Sequence, residues 1–142
     1  MAEKEKKEVI DIADFFTTTR SKTGVWHEPV LNGVGMGIEF KILGPSSDEA
    51  VIASEEYDRA HEKALSEKDG RTAVEIERQA LAERAASIIR EVRAKGGKAL
   101  VCNKKEFKAS KEELRTVMYE NEDVCLDILM AAGKSATFMK RQ

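Results

Sequence analysis

The chain has 142 residues, which is enough to bury a core within one domain without the help of metal ions or disulfide bonds. Charged side chains make up 35% of the residues and hydrophobic ones 42%, a balance that excludes both a largely disordered chain and a membrane protein. The formal net charge of -2 provides no overall positive field, so the composition does not favour nucleic acid or anionic lipid as a partner.

The first ten residues are predicted to form a disordered, charged tail, because residues 1–8 are almost all Glu and Lys and offer little apolar surface to bury. No apolar run of signal-peptide length follows, and no window approaches the roughly 20 apolar residues that span a bilayer. We therefore expect one α+β domain over residues 11–142, located in the cytoplasm. The segment 11–19 suits a short helical turn or a strand, and the pattern does not decide between them.

Residues from about 24 to 43 carry the clearest strand signal in the chain. Two apolar-rich runs flank the turn-prone segment Asn32–Gly35. In the second run Ile38, Phe40 and Ile42 alternate with charged residues, so one face can pack on a core while the other stays solvated. The pattern predicts a half-buried β-hairpin.

Three helices are predicted after the hairpin, at about residues 48–65, 72–95 and 110–132. The first follows a break at Gly44–Asp48, where Ser and Asp side chains can accept hydrogen bonds from the free amides of a helix start. The second is expected to end at Gly96–Gly97. Its apolar residues lie seven positions apart, and they are Val74, Leu81 and Ile88. The predicted fold class is α+β and mostly α-helical, with an N-terminal β-hairpin followed by a helical domain.

The third predicted helix has the best-marked start. Ser110 precedes Glu113 by three residues, the capping-box arrangement in which each side chain satisfies the other's free backbone amide. An apolar stripe at i, i+3 and i+4 spacing follows, with a break expected near Asn121 and a stop at Gly133. Before this helix, residues 98–107 open with a short apolar run that suits an edge strand.

Residues that usually carry catalysis or metal binding are sparse. His27, in the predicted hairpin, and His61, in the first predicted helix, have no cysteine or second histidine at metal-ligand spacing. Cys102 and Cys125 lack the Cys-x-x-Cys pattern and are expected to be buried or idle thiols. Alternating glycines within residues 33–37 match no phosphate-binding motif and are expected to serve a turn. The sequence predicts a protein that is not an enzyme and holds neither a cofactor nor a metal ion.

Protein binding is the function that the remaining pattern favours. Part of the apolar stripe of the third helix must form the core of this chain. Any apolar surface that remains exposed there, or on the long, charged middle helices, can bind another polypeptide or a second copy of the chain. Trp26 is a large amphipathic ring that can either anchor a partner or cap the core. An enzyme or a nucleic-acid binder is the least favoured class.

The order of the segments carries a resemblance to a known family. Thr23–Trp26 and Pro29 are followed by Gly37–Asp48, which fits an opening of the form Trp, Pro, then Gly-Ile-x-Phe-x-Ile-x-Gly. A charged helical stretch comes next, then a helix with the Ser-Lys-Glu-Glu start, which is apolar through Leu129, and a final aromatic at Phe138. Over about residues 12–139 the chain resembles the tail assembly chaperones of long-tailed bacteriophages.

Two segments depart from the pattern of that family. Ser46-Ser47-Asp48 stands where the family often has Asp-Ser before the helix, and Ile89–Val92 stands where it often has a Trp-x-Gly segment. The first change keeps a helix cap. Both changes weaken the inference of a shared binding surface.

The resemblance implies a non-enzymatic chaperone that binds the tape measure protein and helps to recruit tail tube subunits during tail morphogenesis in the host cytoplasm. The residues expected to contact protein are Trp26, Met118, Ile128, Leu129 and Phe138, each of which also suits a core position. Self-association remains open, while nucleic acid and membrane are not expected as partners. The alternative function is a structural subunit of the phage tail, neck or baseplate that is retained in the virion.

Overall fold

A computed structural model of the chain describes residues 8–67 and 70–139 and has a mixed α+β fold. The α-helices of this described part are α1 (Thr18–Thr23), α2 (Asp48–Glu67), α3 (Ala73–Ile88), α4 (Lys111–Glu120) and α5 (Glu122–Ala132). Its strands are β1 (Val25–His27), β2 (Val30–Leu31), β3 (Val34–Gly35), β4 (Ile38–Ile42), β5 (Ile89–Ala94), β6 (Val101–Cys102) and β7 (Lys105–Glu106). Of the predicted N-terminal tail, residues 1–7 lie outside the described residues and residues 8–10 are exposed.

Segment 24–43 contains two antiparallel pairings. β1 pairs with β4, with Val25 opposite Ile42. Between them, β2 and β3 form a small pair around Asn32 and Gly33, which both have the positive φ that a tight two-residue turn requires. β5 pairs with the other side of β4, which gives a three-stranded sheet in the order β1-β4-β5. Residues 98–107, where the sequence suits an edge strand, contain the exposed antiparallel pair β6 and β7.

The helix predicted over residues 72–95 is wrong in its last part, because α3 ends at Ile88 and the chain continues directly into β5. Pairing with β4 supplies a ladder of backbone hydrogen bonds and places opposite charges across the strands. Lys41 lies 3.3 Å from Glu91, and Arg93 lies 3.0 Å from Glu39. These contacts between distant segments outweigh a local preference for helix.

The apolar stripe after Ser110 is divided between two helices. Ser110 and Glu113 form the capping box at the start of α4. At Asn121 the backbone leaves the helical region, with φ -128° and ψ 72°, and α5 starts at the next residue. Gly133 caps α5. The segment 11–19, which the sequence left open, is helical, with a 3-10 turn at Ile12–Phe15 followed by the start of α1.

Helix α3 is the centre of the helical layer, since α2, α4 and α5 all pack on it while α2 makes extensive contact with α3 alone. The core lies between α3, α4, α5 and one face of the sheet. Its buried side chains include Phe40, Ile42, Ala85, Ile88, Leu114, Met118, Val124, Ile128 and Phe138. Within the described part of the chain, no helix is both long and apolar enough to cross a membrane.

Candidate functional site

Three of the five residues expected to contact protein lie inside the core. Met118 is 1% exposed, and Ile128 and Phe138 have no exposed surface. The stripe on α4 and α5 faces α3 and the sheet, so its spacing reflects burial within this chain. In this fold these three side chains have no surface to offer a partner, which corrects the expectation that they bind one directly.

Trp26 lies half-buried on β1, and its indole ring is covered by cations from neighbouring strands. The Arg93 guanidinium lies 3.8 Å from a ring centroid, and the Lys41 ammonium lies 6.0 Å from it. Arg93 also pairs with Glu39. Cation–π contacts of this kind satisfy the ring within the chain itself, so Trp26 stabilises the sheet.

Leu129 is the one member of the predicted set that lines an open groove. This groove runs between α2 and α5 with α3 as its floor, and it has a volume of about 440 Å³. We name it the α2–α5 groove and define it by the residues that line it: Leu43, Pro45, Ala50, Val51, Ser54, Glu55, Arg84, Ile88, Leu129, Ala132 and Gly133. Most of these side chains are apolar, and the sequence predictions missed all of them except Leu129.

Helix α2 exposes large apolar side chains, and among them Val51 lines the groove. Val51 is 49% exposed and Leu65 is 45% exposed. The two residues are fourteen positions apart, so they lie on the same side of the helix. Among the described side chains of α2, only those of Ala53 and Ala64 are buried. The helix therefore anchors itself with its smallest apolar residues and leaves its largest ones accessible.

The seven-residue row of α3 meets the groove at Ile88, the member of the row that lines it. Ile88 is buried at one end of the row, Leu81 is half-buried, and Val74 is 69% exposed at the other end. Leu81 also lines a narrow cleft against Leu126 of α5. Since α2 and α3 run antiparallel, Leu65 and Val74 lie toward the same end of the helix pair. Apolar surface thus continues along the length of α3 beyond the groove itself.

A polar cluster holds α2 on α3 near the middle of the pair. The Tyr57 hydroxyl donates a 2.6 Å hydrogen bond to Glu77, and the His61 ring nitrogen lies 2.9 Å from the other oxygen of the same carboxylate. The Tyr57 and His61 rings stack with centroids 5.7 Å apart, and the Arg84 guanidinium lies 5.6 Å from the Tyr57 ring. Burial, together with the hydrogen bond to Glu77, raises the pKa of Tyr57 to about 12.

Three carboxylates follow the exposed apolar side of α2. Glu55, Asp58 and Glu62, which we name the acidic row, are exposed and occur at spacings of three and four residues. None of them forms an ion pair within the described part of the chain. Arg84, the one cation among the lining residues of the groove, lies over Tyr57, while Arg59 and Lys63 of α2 are exposed. The acidic row therefore places three carboxylates along the α2 edge of the groove.

A second groove, of about 530 Å³, lies on the other side of α3, between α2 and α4. Its apolar lining is mostly alanine, with one isoleucine, Ile76. Three of its charged side chains have partners, since Arg115 lies 3.6 Å from Glu83 and Arg71 donates to Gln79, while Glu120 forms no ion pair within the described residues. The α2–α5 groove has the larger exposed apolar side chains and lies beside the three carboxylates of the acidic row, and it is the better candidate for a binding site.

The histidines and cysteines have structural surroundings. His27 lies 3.1 Å from Asp127, whose carboxylate also accepts a hydrogen bond from the Val30 amide and so ties the hairpin to α5. Cys125 is buried, and burial raises the pKa of its thiol to about 11, while Cys102 is exposed. Both are free thiols. The described residues contain no group of three or more His, Cys, Asp or Glu side chains placed to hold a metal ion.

Comparison of the chain with protein-family models, with curated proteins and with solved structures finds no match. The α2–α5 groove is therefore interpreted from its own side chains, as an apolar channel with one acidic edge in a mixed α+β protein.

Proposed function

We propose that the protein is a tail assembly chaperone of a long-tailed bacteriophage, which binds the tape measure protein and helps to recruit tail tube subunits in the host cytoplasm. It acts by binding and not by catalysis. The observation that carries the proposal is the construction of α2, which packs on α3 through two buried alanines and presents Val51 and Leu65 to the outside. The N-terminal β-hairpin and the helices that follow act as one binding unit.

Such a groove suits the task of holding a helical client. An amphipathic helix can place its apolar residues against an open apolar channel, which is a common mode of peptide recognition. The charges around the channel keep the unoccupied protein dispersed in water. The tape measure protein is long and helix-rich in the family that the sequence resembles, so it would offer many such segments.

The exposed apolar surface determines how much free energy is available for binding a client. Covering the exposed half of one Val or Leu side chain contributes roughly 1 kcal/mol. Three such side chains, that of Val51 in the groove and those of Leu65 and Val74 beyond its lining, contribute roughly 3 kcal/mol before the cost of association is subtracted. A single groove would then hold a client weakly and release it readily, which fits a chaperone that leaves before the particle is complete.

The test is co-expression of this chain with the product of the adjacent long, helix-rich open reading frame, followed by capture through an affinity tag on the chain. The variant Val51→Asp places a charge in the groove. The matched control is Ile52→Asp, because Ile52 is the next residue of the same helix, is 52% exposed, and lines the opposite side between α2 and α4. Val101→Asp, at an exposed strand position distant from α2 in the chain, is a second control.

We expect the wild type and both controls to capture the long protein, and Val51→Asp to lose most of the capture while its circular dichroism spectrum stays unchanged. Equal capture by Val51→Asp and wild type would contradict a role for the α2–α5 groove. Failure of the wild type to capture the long protein, with this chain present at fixed copy number in finished particles, would favour the structural subunit instead.

A further inference from the structure

We propose that the α2–α5 groove receives an amphipathic helix whose apolar stripe is flanked by lysine or arginine, because its apolar channel lies directly beside the acidic row Glu55, Asp58 and Glu62. This inference rests on the proposed function, from which it takes a helical client, and it adds the chemistry by which one segment of that client is chosen.

The exposed side of α2 is long enough for several turns of helix, and the groove lining covers its first part, at residues 50–55. Val51 and Leu65 mark the two ends of this exposed apolar side and are fourteen residues apart, which is about 21 Å at a rise of roughly 1.5 Å per residue. An occupant of about four turns that starts in the α2–α5 groove can follow this length of α2. Its apolar residues at i, i+3 or i+4, and i+7 would then follow the row that Val74, Leu81 and Ile88 form on α3.

The charge of the site favours basic residues beside the apolar stripe of that helix. The acidic row lies on the same side of α2 as Val51, since Glu55 is four residues beyond Val51 and lines the groove with it. On α5, Glu122 lines the neighbouring cleft but is paired with Arg78 at 3.9 Å, so the acidic row supplies the free carboxylates. A helix with basic residues beside its apolar stripe would pair with the free carboxylates, whereas one with acidic flanks would be repelled.

The same charges disfavour a second copy of this chain as the occupant. The helix α2, which supplies the exposed apolar wall of the groove, has seven acidic residues and two basic ones. Two α2 helices brought together in the grooves of two copies would place like charges beside each other. A nucleic acid is disfavoured for the same reason, because its phosphates would meet the acidic row.

The experiment uses the full chain and two designed 18-residue helical peptides with an identical leucine stripe, one flanked by lysines and the other by glutamates. Binding of each fluorescein-labelled peptide is measured by anisotropy at low salt. The test variant is Glu55→Lys with Asp58→Lys. The control is Glu56→Lys with Glu112→Lys, which changes the net charge equally but replaces exposed residues outside the groove.

We expect the wild type and the control variant to bind the lysine-flanked peptide about tenfold more tightly than the glutamate-flanked one, and the test variant to lose or reverse this preference. Val51→Asp should weaken binding of the lysine-flanked peptide. Absence of binding by either peptide, equal binding of both, or an equal loss of preference in the control variant would overturn the inference. A dimer in sedimentation velocity that Val51→Asp dissociates would also overturn it, because the groove would then be covered by a second copy.

The two proposals can fail separately. Capture of the adjacent long protein through Val51, without any preference between the peptides, would leave the chaperone function standing and refute the charge selection. A clear preference for the lysine-flanked peptide, without capture of the long protein, would support the groove chemistry and refute the identity of the client.

Discussion

Replacement of Tyr57 by Phe tests how α2 is held on α3. The change removes the hydroxyl that donates a 2.6 Å hydrogen bond to Glu77, but it leaves the ring that stacks on His61 and lies near Arg84. A hydrogen bond to a charged acceptor contributes roughly 1.5–3 kcal/mol. Because Tyr57 is only half-buried, solvent weakens the interaction, and we expect the free energy of unfolding to fall by about 1 kcal/mol.

The same residue makes stability depend on pH in the alkaline range. The pKa of Tyr57 is raised from 10.0 to about 12 in the folded chain, chiefly by burial and then by the hydrogen bond to Glu77. A group whose pKa is higher in the folded than in the unfolded state stabilises the fold while it stays protonated. This contribution is complete below pH 10 and disappears as the pH rises toward 12. The wild type should therefore lose more stability over this interval than Tyr57→Phe does.

Urea unfolding followed by circular dichroism at pH 8, and at steps between pH 10 and 12, measures both effects. Tyr119→Phe is the matched control, because the hydroxyl of Tyr119 has no hydrogen-bond partner within the described residues. The other groups that titrate in this interval are common to the wild type and Tyr57→Phe, so the difference between these two curves isolates Tyr57. Equal stability of Tyr57→Phe and wild type at pH 8, together with parallel pH profiles, would refute the role given to this cluster.

Three further substitutions test the elements that support the groove, each by urea unfolding. Gly44→Ala should lower the free energy of unfolding by about 3 kcal/mol, because the added methyl carbon would overlap the Ser21 hydroxyl and lie 2.7 Å from ring atoms of Phe138. An unchanged value would mean that both neighbours move aside freely. Asp127→Ala should lower the free energy of unfolding by about 1–2 kcal/mol, because it removes the carboxylate that both His27 and the Val30 amide contact. Ser110→Ala should cost about 1 kcal/mol through loss of the capping box, and no change would show that water replaces the cap.

Much of the fold could be predicted because local signals and tertiary packing agree there. The alternation of Ile38, Phe40 and Ile42 indicates a half-buried strand, and β4 occupies that position in the centre of the sheet. Likewise, Ser110 and Glu113 mark the start of a helix through side-chain to backbone hydrogen bonds that need no distant partner. Signals of this kind depend only on residues that lie close together in the sequence.

The end of α3 could not be predicted, since its signal supports two structures. Ile88 and Val92 are four apart, which suits a helix, yet both are β-branched, and Val92 also alternates with Glu91 and Arg93 as in a strand. Pairing with β4 decides between the two structures. Residues 89–94 form a strand because they pair with β4, which lies about fifty residues earlier in the sequence. Only the tertiary structure supplies that partner, so the pattern alone extended the helix too far.

The α2–α5 groove was missed as a candidate site for a related reason. A helical stripe identifies the face that is buried, but it does not say whether the face is covered by the same chain or by another one. The stripe on α4 and α5 is covered by this chain, which places Met118, Ile128 and Phe138 in the core. The useful signal was the weaker fourteen-residue spacing of Val51 and Leu65, outside the alanine face of α2.

Consecutive residues of a helix point about 100° apart around its axis, so direct neighbours in the sequence can lie in different environments. Two pairs of neighbours, one on α5 and one on α2, show this. On α5, Ile128 points into the core while Leu129 lines the α2–α5 groove. On α2, Val51 and Ile52 are almost equally exposed but belong to different grooves. Because each pair shares its local sequence and helix position, a difference between Val51→Asp and Ile52→Asp in client capture cannot arise from helix propensity or net charge. It would arise only from the side of α2 on which the client lies.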